Sequence, residues 1–373
     1  MNKNIDVFLS LLRAGLWESV NANLDPNPNL IGGVDWNEVY RMAEQQGVIG
    51  LVAAGIESVN LNHNANLNLS IPQVTALTFA GATIQMEQRN KAMNGFIAEL
   101  VEKMRAVDIY TLLVKGQGVA QCYERPLWRP SGDVDFLLSE DNYKKAKAFL
   151  LSLSSGNKHE ERYSQHLGMN IGQWYVEIHG TLRTGLAARV DRQVDAVQRD
   201  VFCGGNVRSW LNGGTQVFLP APNEDVFLVF THFIKHFYKE GMTLRQVCDW
   251  CRLMWTYREQ IDAEWMEKHV KKARLMGEWK TFYNLACNYL GMPDFGSELT
   301  VHDSRFDSKS DRLMGFILGG YSGNKVKDTW QIAKIFPWKG LRYAPSIEST
   351  SKCKFVAKLG KMFEKDLIWG KEI

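Results

Sequence analysis

The chain has 373 residues, of which 45% are hydrophobic and 23% are charged, and this composition excludes a disordered or fibrous protein. Its formal charge of +3 is small for this length, so the overall charge gives no strong signal for nucleic acid or for an anionic membrane. The six cysteines are scattered along a chain long enough to fold without disulfides, which favours reduced thiols.

Targeting signals and membrane spans are not indicated. Residues 1–18 lack the basic start, long apolar centre and cleavage site of a secretory signal. No stretch approaches the roughly 18 to 20 apolar residues that a membrane span requires. We therefore expect a cytoplasmic protein with no membrane span, built from two or three packed units.

The first third of the chain has a helical pattern. Apolar residues recur at helical spacing over 7–17, 36–59 and 72–106, and Asp35 can cap the second segment. We expect an N-terminal helical region over residues 1–106.

The pattern changes in the middle of the chain. Helical residues are predicted over 141–153, with Ser139 as the N-cap. Four short runs have the apolar alternation or the residue types of strands: 109–114, 132–138, 166–171 and 174–178. Residues 107–185 are therefore predicted to form an α/β core.

Helical patterns return towards the C-terminus. They cover 223–237, with Asn223 as the expected N-cap, and continue over 244–257 and 263–289. Loops are expected at 303–311 and 346–351, and a basic amphipathic segment ends the chain at 352–369. Residues 186–373 thus form a predicted C-terminal helical region, and the whole chain falls in the α+β class.

Two aspartates stand out in the second predicted strand. Asp133 and Asp135 lie two residues apart, so both side chains project from the same face of the strand. Two carboxylates about 4 Å apart repel by roughly 4 kcal/mol at an effective dielectric constant near 20. A divalent cation relieves this repulsion, and ligation by oxygen alone suits Mg²⁺.

Glu177 is the expected third carboxylate, on a neighbouring strand. The glycine turn at Gly116 ends the first strand and the aspartates open the second, so the two can meet only if these strands are antiparallel. A dinucleotide-binding unit has parallel strands instead. Gln121 also stands where the third glycine of that fingerprint would fall, which argues against such a unit.

The order of these elements resembles a known superfamily. A strand, a Lys-Gly turn, a short helix, an arginine-containing loop, Gly-Asp-Val-Asp-Phe-Leu-Leu, a helix and Val-Glu-Ile-His follow one another over residues 113–179. This order resembles the nucleotidyltransferases of the DNA polymerase beta superfamily, and more closely a bacterial branch with helical flanks. The chain departs from the wider superfamily, which usually has Gly-Ser or Gly-Gly at the turn.

The resemblance implies a small mixed sheet with helical flanks and a Mg²⁺- or Mn²⁺-dependent transfer of a nucleotide monophosphate. An NTP would be the donor, a hydroxyl group of unknown identity the acceptor, and pyrophosphate the leaving group. Asp133, Asp135 and Glu177 would be the catalytic and metal-binding residues. Gly116 would let the turn approach the triphosphate, which Lys115 or Arg129 would neutralise.

Several alternatives stay open at this point. Arg129 can instead pair with nearby acids, and Lys115 can simply end a strand in solvent. His179 can orient Glu177, contact a phosphate or play a structural role. Two other functions also fit the pattern: a non-catalytic nucleotide-binding or regulatory protein on the same scaffold, and phosphotransfer, because carboxylates and Mg²⁺ serve that reaction too.

Two further motifs have mainly structural interpretations. His232 and His236 share one helix face, but the glutamate of the zinc-protease motif is missing, so hydrogen bonding between helices or lining of a cleft is favoured. Cys248 and Cys251 have zinc or redox spacing within a helical pattern, and no second pair accompanies them. We expect buried thiols there.

Overall fold

A computed structural model describes residues 2–18, 33–61, 71–156, 158–161, 165–294 and 302–343. Within these residues the strands form one mixed sheet, and helices precede and follow it in the sequence. This confirms the predicted α+β class. The predicted segments at 346–351 and 352–369 lie outside the described residues.

Four helices precede the sheet: α1 (Lys3–Leu16), α2 (Trp36–Gln45), α3 (Ile49–Leu61) and α4 (Gln73–Arg105). Within the sheet region lie the strands β1 (Leu112–Val114), β2 (Asp133–Leu137), β3 (Lys158–Glu161), β4 (His166–Ile171), β5 (Trp174–His179), β6 (Val207–Asn212) and β7 (Thr215–Pro220). Three helices separate these strands: α5 (Gly116–Ala120), α6 (Glu140–Leu153) and α7 (Ala188–Gly204). The remaining helices are α8 (Pro222–Lys239), α9 (Leu244–Thr256), α10 (Ala263–Ala273), α11 (Met276–Leu290), α12 (Asp307–Gly319), α13 (Lys325–Ile335) and α14 (Pro337–Tyr343).

The sheet has the strand order β3-β4-β5-β2-β1-β7-β6. Strands β1 and β2 are antiparallel, as the sequence predicted, whereas β2 and β5 are parallel. Asp135 therefore has Val114 beside it on one strand and Glu177 beside it on the other. Strands β6 and β7 extend the same sheet beyond residue 185, and the division of the chain into three regions stays a prediction.

The two faces of the central strands differ as their alternation predicted. Val134 and Phe136 of β2 and Val176 of β5 face a buried apolar layer, to which α4 contributes Ile97 and α6 contributes Leu150. The intervening side chains, which include the carboxylates, point to the opposite face. The hydrophobic alternation thus fixes which face can carry polar chemistry.

The helical regions on either side of the sheet share one apolar core. Trp17, the C-cap of α1, is fully buried, and its indole N–H donates to the carbonyl oxygen of Leu290 in α11 at 2.6 Å. Phe230 of α8, Trp250 of α9 and Trp279 of α11 pack edge to face or tilted in the same core. The helices before and after the sheet in the sequence therefore pack together in one unit beside it.

Helix boundaries show where sequence patterns were sufficient. Asp35 caps α2, where its carboxylate accepts from the backbone N–H groups of Asn37 and Glu38. The prediction for Asn223 was wrong, because α8 begins one residue earlier at Pro222, whose fixed φ suits the first turn. The predicted helix over 263–289 is divided at Arg274, which adopts a left-handed conformation after α10.

The predicted loop at 303–311 was also wrong. Asp303 caps a short 3₁₀ turn by accepting from the N–H group of Arg305, and α12 follows directly. Buried apolar residues of α12, such as Leu313, join the main core.

Among the described residues, no helix combines the length and apolar character that a membrane crossing needs.

We predict that Gly55 is required for the close contact between α1 and α3. A Cβ atom at this position would lie 2.0 Å from the carbonyl oxygen of Leu11, so Gly55→Ala should destabilise the fold by about 1–3 kcal/mol. Gly81→Ala is the matched control, because a Cβ there meets nothing within 4 Å and should stabilise α4 by about 1 kcal/mol. Urea unfolding of both variants measures the difference, and equal stabilisation by both would contradict the packing argument.

Candidate active site

The Lys-Gly turn joins β1 to α5 in an unusual backbone conformation. Lys115 has φ +59° and ψ −150°, a region that non-glycine residues avoid, and Gly116 follows with φ +39°. A Cβ atom at Gly116 would also lie 3.2 Å from the hydroxyl oxygen of Ser131, so the turn is tight as well as left-handed. A lysine held in this conformation costs about 1–3 kcal/mol, which the surrounding contacts must offset.

The strained turn brings the Lys115 ammonium to the aspartates. Its Nζ atom lies 2.9 Å from Oδ1 of Asp135, in an ion pair whose side chains are only 18% and 3% exposed. The predicted alternative of a lysine ending a strand in solvent does not describe this position. Contact of Lys115 with a phosphate stays a prediction.

The three predicted carboxylates lie together. Asp133, Asp135 and Glu177 each offer one oxygen atom, and these atoms all lie within 4.8 Å of one another. Strand register explains the cluster, because Asp135 and Glu177 are direct neighbours on parallel strands and Asp133 lies two residues away on the same face. The arrangement can hold a divalent cation through oxygen atoms alone.

The carboxylates are not neutralised equally. The negative charge of Asp135, together with burial, raises the pKa of Asp133 above its ordinary value. Burial alone would raise the pKa of Asp135, but Lys115 and a hydrogen bond from His179 outweigh it and lower that pKa. Asp133 thus carries unrelieved repulsion, which a bound cation would remove, and the donor set fits a divalent ion.

Two stacked histidines complete the cluster. Nε2 of His179 lies 2.8 Å from Oδ1 of Asp135 and 3.5 Å from Oε2 of Glu177. The ring of His166 stacks on that of His179, with centroids 4.7 Å apart and planes at 4°, and its Nε2 lies 3.1 Å from Oε2 of Glu177. Although burial opposes it, the two histidines lower the pKa of Glu177, which keeps this carboxylate ionised.

Sequence reasoning missed His166, although a signal for it existed. Two residues, Gly172 and Gln173, separate the predicted strands 166–171 and 174–178, and a two-residue hairpin fixes the register of its strands. In that register Ile171 faces Trp174, so His166 must face His179, as the structure shows.

Arg129 forms a buried ion pair with α9. Its guanidinium donates to both carboxylate oxygens of Asp249, at 3.0 and 2.6 Å, and the Tyr123 hydroxyl donates to the same carboxylate at 2.8 Å. Asp249 raises the pKa of Arg129 despite burial, so the guanidinium stays charged. Arg129 therefore forms an ion pair with an acid, which was one of the two alternatives that the sequence left open. Contact of Arg129 with a phosphate stays a prediction.

A cavity of about 780 Å³ adjoins the carboxylates. Residues of α8 and α9 line it as well, and two of their cations have no ion pair with a described residue. Arg245 donates to the carbonyl oxygen of Pro130 at 3.1 Å, and Lys239 donates to that of Gly185 at 2.9 Å. Burial and the nearby Arg129 lower the pKa of Arg245, and the attraction of Asp249 and Asp133 offsets this lowering only in part. Sequence reasoning assigned no site role to either cation.

The histidine pair on α8 lines the same cavity. Nε2 of His232 and Nε2 of His236 lie 2.9 Å apart, and Nδ1 of His236 lies 2.9 Å from Glu240. Burial, with Lys115 and His236 nearby, lowers the pKa of His232 well below its ordinary value, so this ring is neutral. Neither histidine belongs to a group of three potential metal ligands within the described parts of the chain. The pair lines the cleft, and its hydrogen bond lies within α8 rather than between helices as predicted.

Cys248 and Cys251 are free and buried, as expected. Burial raises the pKa of both thiols well above the ordinary value, so neither is a reactive thiolate at neutral pH. They belong to the apolar core behind the cavity wall.

Comparison with known proteins gives one match. The model of a family described as "Uncharacterised nucleotidyltransferase" matches residues 32–286, which is more than half of the chain. Searches of the curated proteins and of the solved structures found no match.

The unequal neutralisation of the aspartates predicts opposite effects of two similar substitutions. Asp135→Asn removes the partner of the buried Lys115 ammonium and should destabilise the protein by about 1–3 kcal/mol. Asp133→Asn removes a repelled charge and should leave stability unchanged or raise it by about 1 kcal/mol at pH 7. Thermal or urea unfolding of both variants tests this.

The pH dependence of the Asp133→Asn effect follows from the sign of the shift. Because the folded-state pKa of Asp133 is raised, its charge opposes folding only where the carboxylate is ionised. The advantage of the asparagine should therefore disappear as the pH falls through the carboxylate range. A loss of stability for Asp133→Asn equal to that for Asp135→Asn would refute the assigned electrostatics.

Proposed function

The chain belongs to a family of uncharacterised nucleotidyltransferases, and from this premise we propose that it transfers a nucleotide monophosphate from an NTP to a hydroxyl acceptor. In this reaction the acceptor oxygen forms a bond to the α-phosphorus, the bond between the α-phosphorus and the bridging oxygen breaks, and pyrophosphate leaves. The hydroxyl proton passes to a carboxylate of the site.

One observation carries the proposal beyond the family. Three carboxylates from two adjacent strands converge beside the Lys-Gly turn and line a cavity of about 780 Å³, which Arg245 and Lys239 of the helices also line. Pockets for small molecules commonly have volumes of about 300–1,000 Å³. The cavity is thus large enough for a nucleotide, and its charges suit a triphosphate with its cation.

The carboxylates have distinct roles in this proposal. Asp133 and Asp135 would hold Mg²⁺ or Mn²⁺, and Glu177 would complete the ligand set. A bound divalent cation supplies positive charge that stabilises the attacking and leaving oxygen atoms of an in-line displacement. The histidines around Glu177 keep it ionised and oriented towards the aspartates.

The cations of the cavity would bind the phosphates. Gly116 leaves space for the triphosphate at the turn, and Lys115 can exchange Asp135 for a phosphate oxygen once a metal ion takes over that carboxylate. Arg245 and Lys239 are further candidates, because both line the cavity and lack an acidic partner within the described chain. Arg129 is better suited to holding the cavity wall through Asp249.

The test is a survey of nucleotides. The purified protein is incubated with each α-labelled and γ-labelled NTP, with Mg²⁺ or Mn²⁺ and a pool of cellular hydroxyl acceptors. Release of pyrophosphate together with retention of the α-label on an acceptor supports the proposal. Release of orthophosphate with γ-label transfer indicates phosphotransfer instead, and nucleotide binding without turnover indicates a regulatory protein.

We predict that Arg245 is a triphosphate ligand. Arg245→Gln should raise the Kd for a non-hydrolysable NTP about 10- to 100-fold, because a hydrogen bond to a charged group contributes about 1.5–3 kcal/mol. Arg312→Gln is the control, since Arg312 is an exposed arginine of α12 that does not line the cavity. Calorimetric titration measures both, and an unchanged Kd for Arg245→Gln would exclude this contact.

A further inference from the structure

A second set of potential metal ligands lies beside the three carboxylates. His166, Glu177 and His179 each offer one ligand atom, and these atoms lie within 4.8 Å of one another. We propose that these residues form a separate cation site that binds a first-row transition metal, such as Mn²⁺, Co²⁺ or Zn²⁺, in preference to Mg²⁺. The cluster would then hold two cations of different chemical class.

The distances between the donor atoms suit a common ion. Bonds of about 2.0–2.2 Å to nitrogen and oxygen place neighbouring ligand atoms roughly 3–3.5 Å apart. In the structure Oε2 of Glu177 lies 3.1 Å from Nε2 of His166 and 3.5 Å from Nε2 of His179. Both Nε2 atoms thus lie next to the same carboxylate oxygen of Glu177.

Nε2 of His166 is a buried atom whose contact with Glu177 is close but lacks hydrogen-bond geometry. This atom is shielded from solvent and has no hydrogen-bond partner of acceptable geometry among the described residues, although Glu177 lies 3.1 Å away. Buried polar atoms are normally satisfied, and one that is not requires an explanation. A metal ion bound between His166 and Glu177 supplies it.

The cross-strand register makes this set rigid. His166 and His179 are direct neighbours on the antiparallel strands β4 and β5, and Glu177 faces Gly168 on the same side of the sheet. A larger residue at 168 is excluded, because a Cβ atom there would lie 2.1 Å from the hydroxyl oxygen of Tyr175. The strands therefore hold three ligands in place without a loop.

Ligand chemistry separates the two sites. The oxygen-only set of Asp133, Asp135 and Glu177 suits Mg²⁺, whereas two imidazoles and one carboxylate favour transition metals. Glu177 belongs to both sets, and its two oxygen atoms allow it to serve both at once. The two sites are thus coupled through one side chain.

Metal binding by His179 competes with an existing contact. Its Nε2 atom lies 2.8 Å from Asp135, and it must be unprotonated to bind a metal ion. An ion at the oxygen-only site would engage Asp135 and release His179 from this hydrogen bond, which would free Nε2 of His179 for the second ion. A role of this ion in transfer rests on the proposed function, whereas its binding does not.

The experiment is a Co²⁺ titration of the full chain without nucleotide, in excess Mg²⁺ so that the oxygen-only site is filled. We expect one Co²⁺ ion per chain, with visible absorption bands of histidine-ligated Co²⁺. His166→Gln should weaken Co²⁺ binding at least about tenfold. His159→Gln should bind as the wild type, because the exposed His159 ring lies 6.5 Å from that of His166 and belongs to no ligand set.

A second readout covers a variant that fails to fold. Pulsed electron paramagnetic resonance of Mn²⁺ bound to the wild-type protein should show couplings to histidine ¹⁴N. Complete displacement of Co²⁺ by Mg²⁺, absence of ¹⁴N coupling, or wild-type affinity in folded His166→Gln would each overturn the inference. The Co²⁺ titration contains no nucleotide, so its result does not depend on the proposed function. If the protein binds Co²⁺ but turns over no NTP in the nucleotide survey, only the proposed function is refuted. If it turns over an NTP but has no Co²⁺ site, only this inference is refuted.

Discussion

The concentration of negative charge at the centre of the sheet is the constraint on which the rest of the site depends. Asp133, Asp135 and Glu177 project from adjacent strands in a register that the sheet hydrogen bonds fix, so their repulsion cannot relax by separation. The fold offsets part of it with Lys115, at the cost of a strained backbone conformation, and with His179. Such strain concentrates at functional sites, where a particular side-chain position outweighs backbone preference. The repulsion that remains at Asp133 is one that a bound cation would relieve.

The helical regions contribute positive charges to the cavity, and buried arginines hold these helices in place. Arg129 joins the segment before β2 to α9 through Asp249, and Arg252 of α9 donates to the carbonyl oxygens of Cys122 and Leu16. These buried guanidinium groups are satisfied by charge or by backbone oxygen atoms, as burial requires. The helix α9 is thereby anchored to the first helix and to the turn region at once. The first turn of α9 then presents Arg245 to the cavity.

Local sequence patterns were sufficient for much of the fold and for the carboxylates. Period-two alternation and the order of the glycine turn and acids predicted the antiparallel pair β1 and β2 and the shared face of Asp133 and Asp135. Non-local packing decided what the patterns missed: α12 forms where a polar segment meets the core, and β7 pairs with the distant strand β1. The pairing of Arg129 with Asp249 joins residues 120 positions apart, which no local signal specifies. Repulsion between the aspartates was foreseen, but its unequal relief depends on where Lys115 and His179 point.

The charges that remain after local pairing favour one kind of ligand. Lys115 pairs with Asp135, Arg129 with Asp249 and Lys235 with Glu240, so these groups largely cancel. The charges that remain are the carboxylates on the sheet side of the cavity and two cations, Arg245 and Lys239, on the helix side. The carboxylates would repel a polyanion alone, and a metal ion alone would leave the two cations without a counter-charge. A polyphosphate that carries its own divalent cation complements both groups, because the cation contacts the carboxylates while the phosphates contact Arg245 and Lys239.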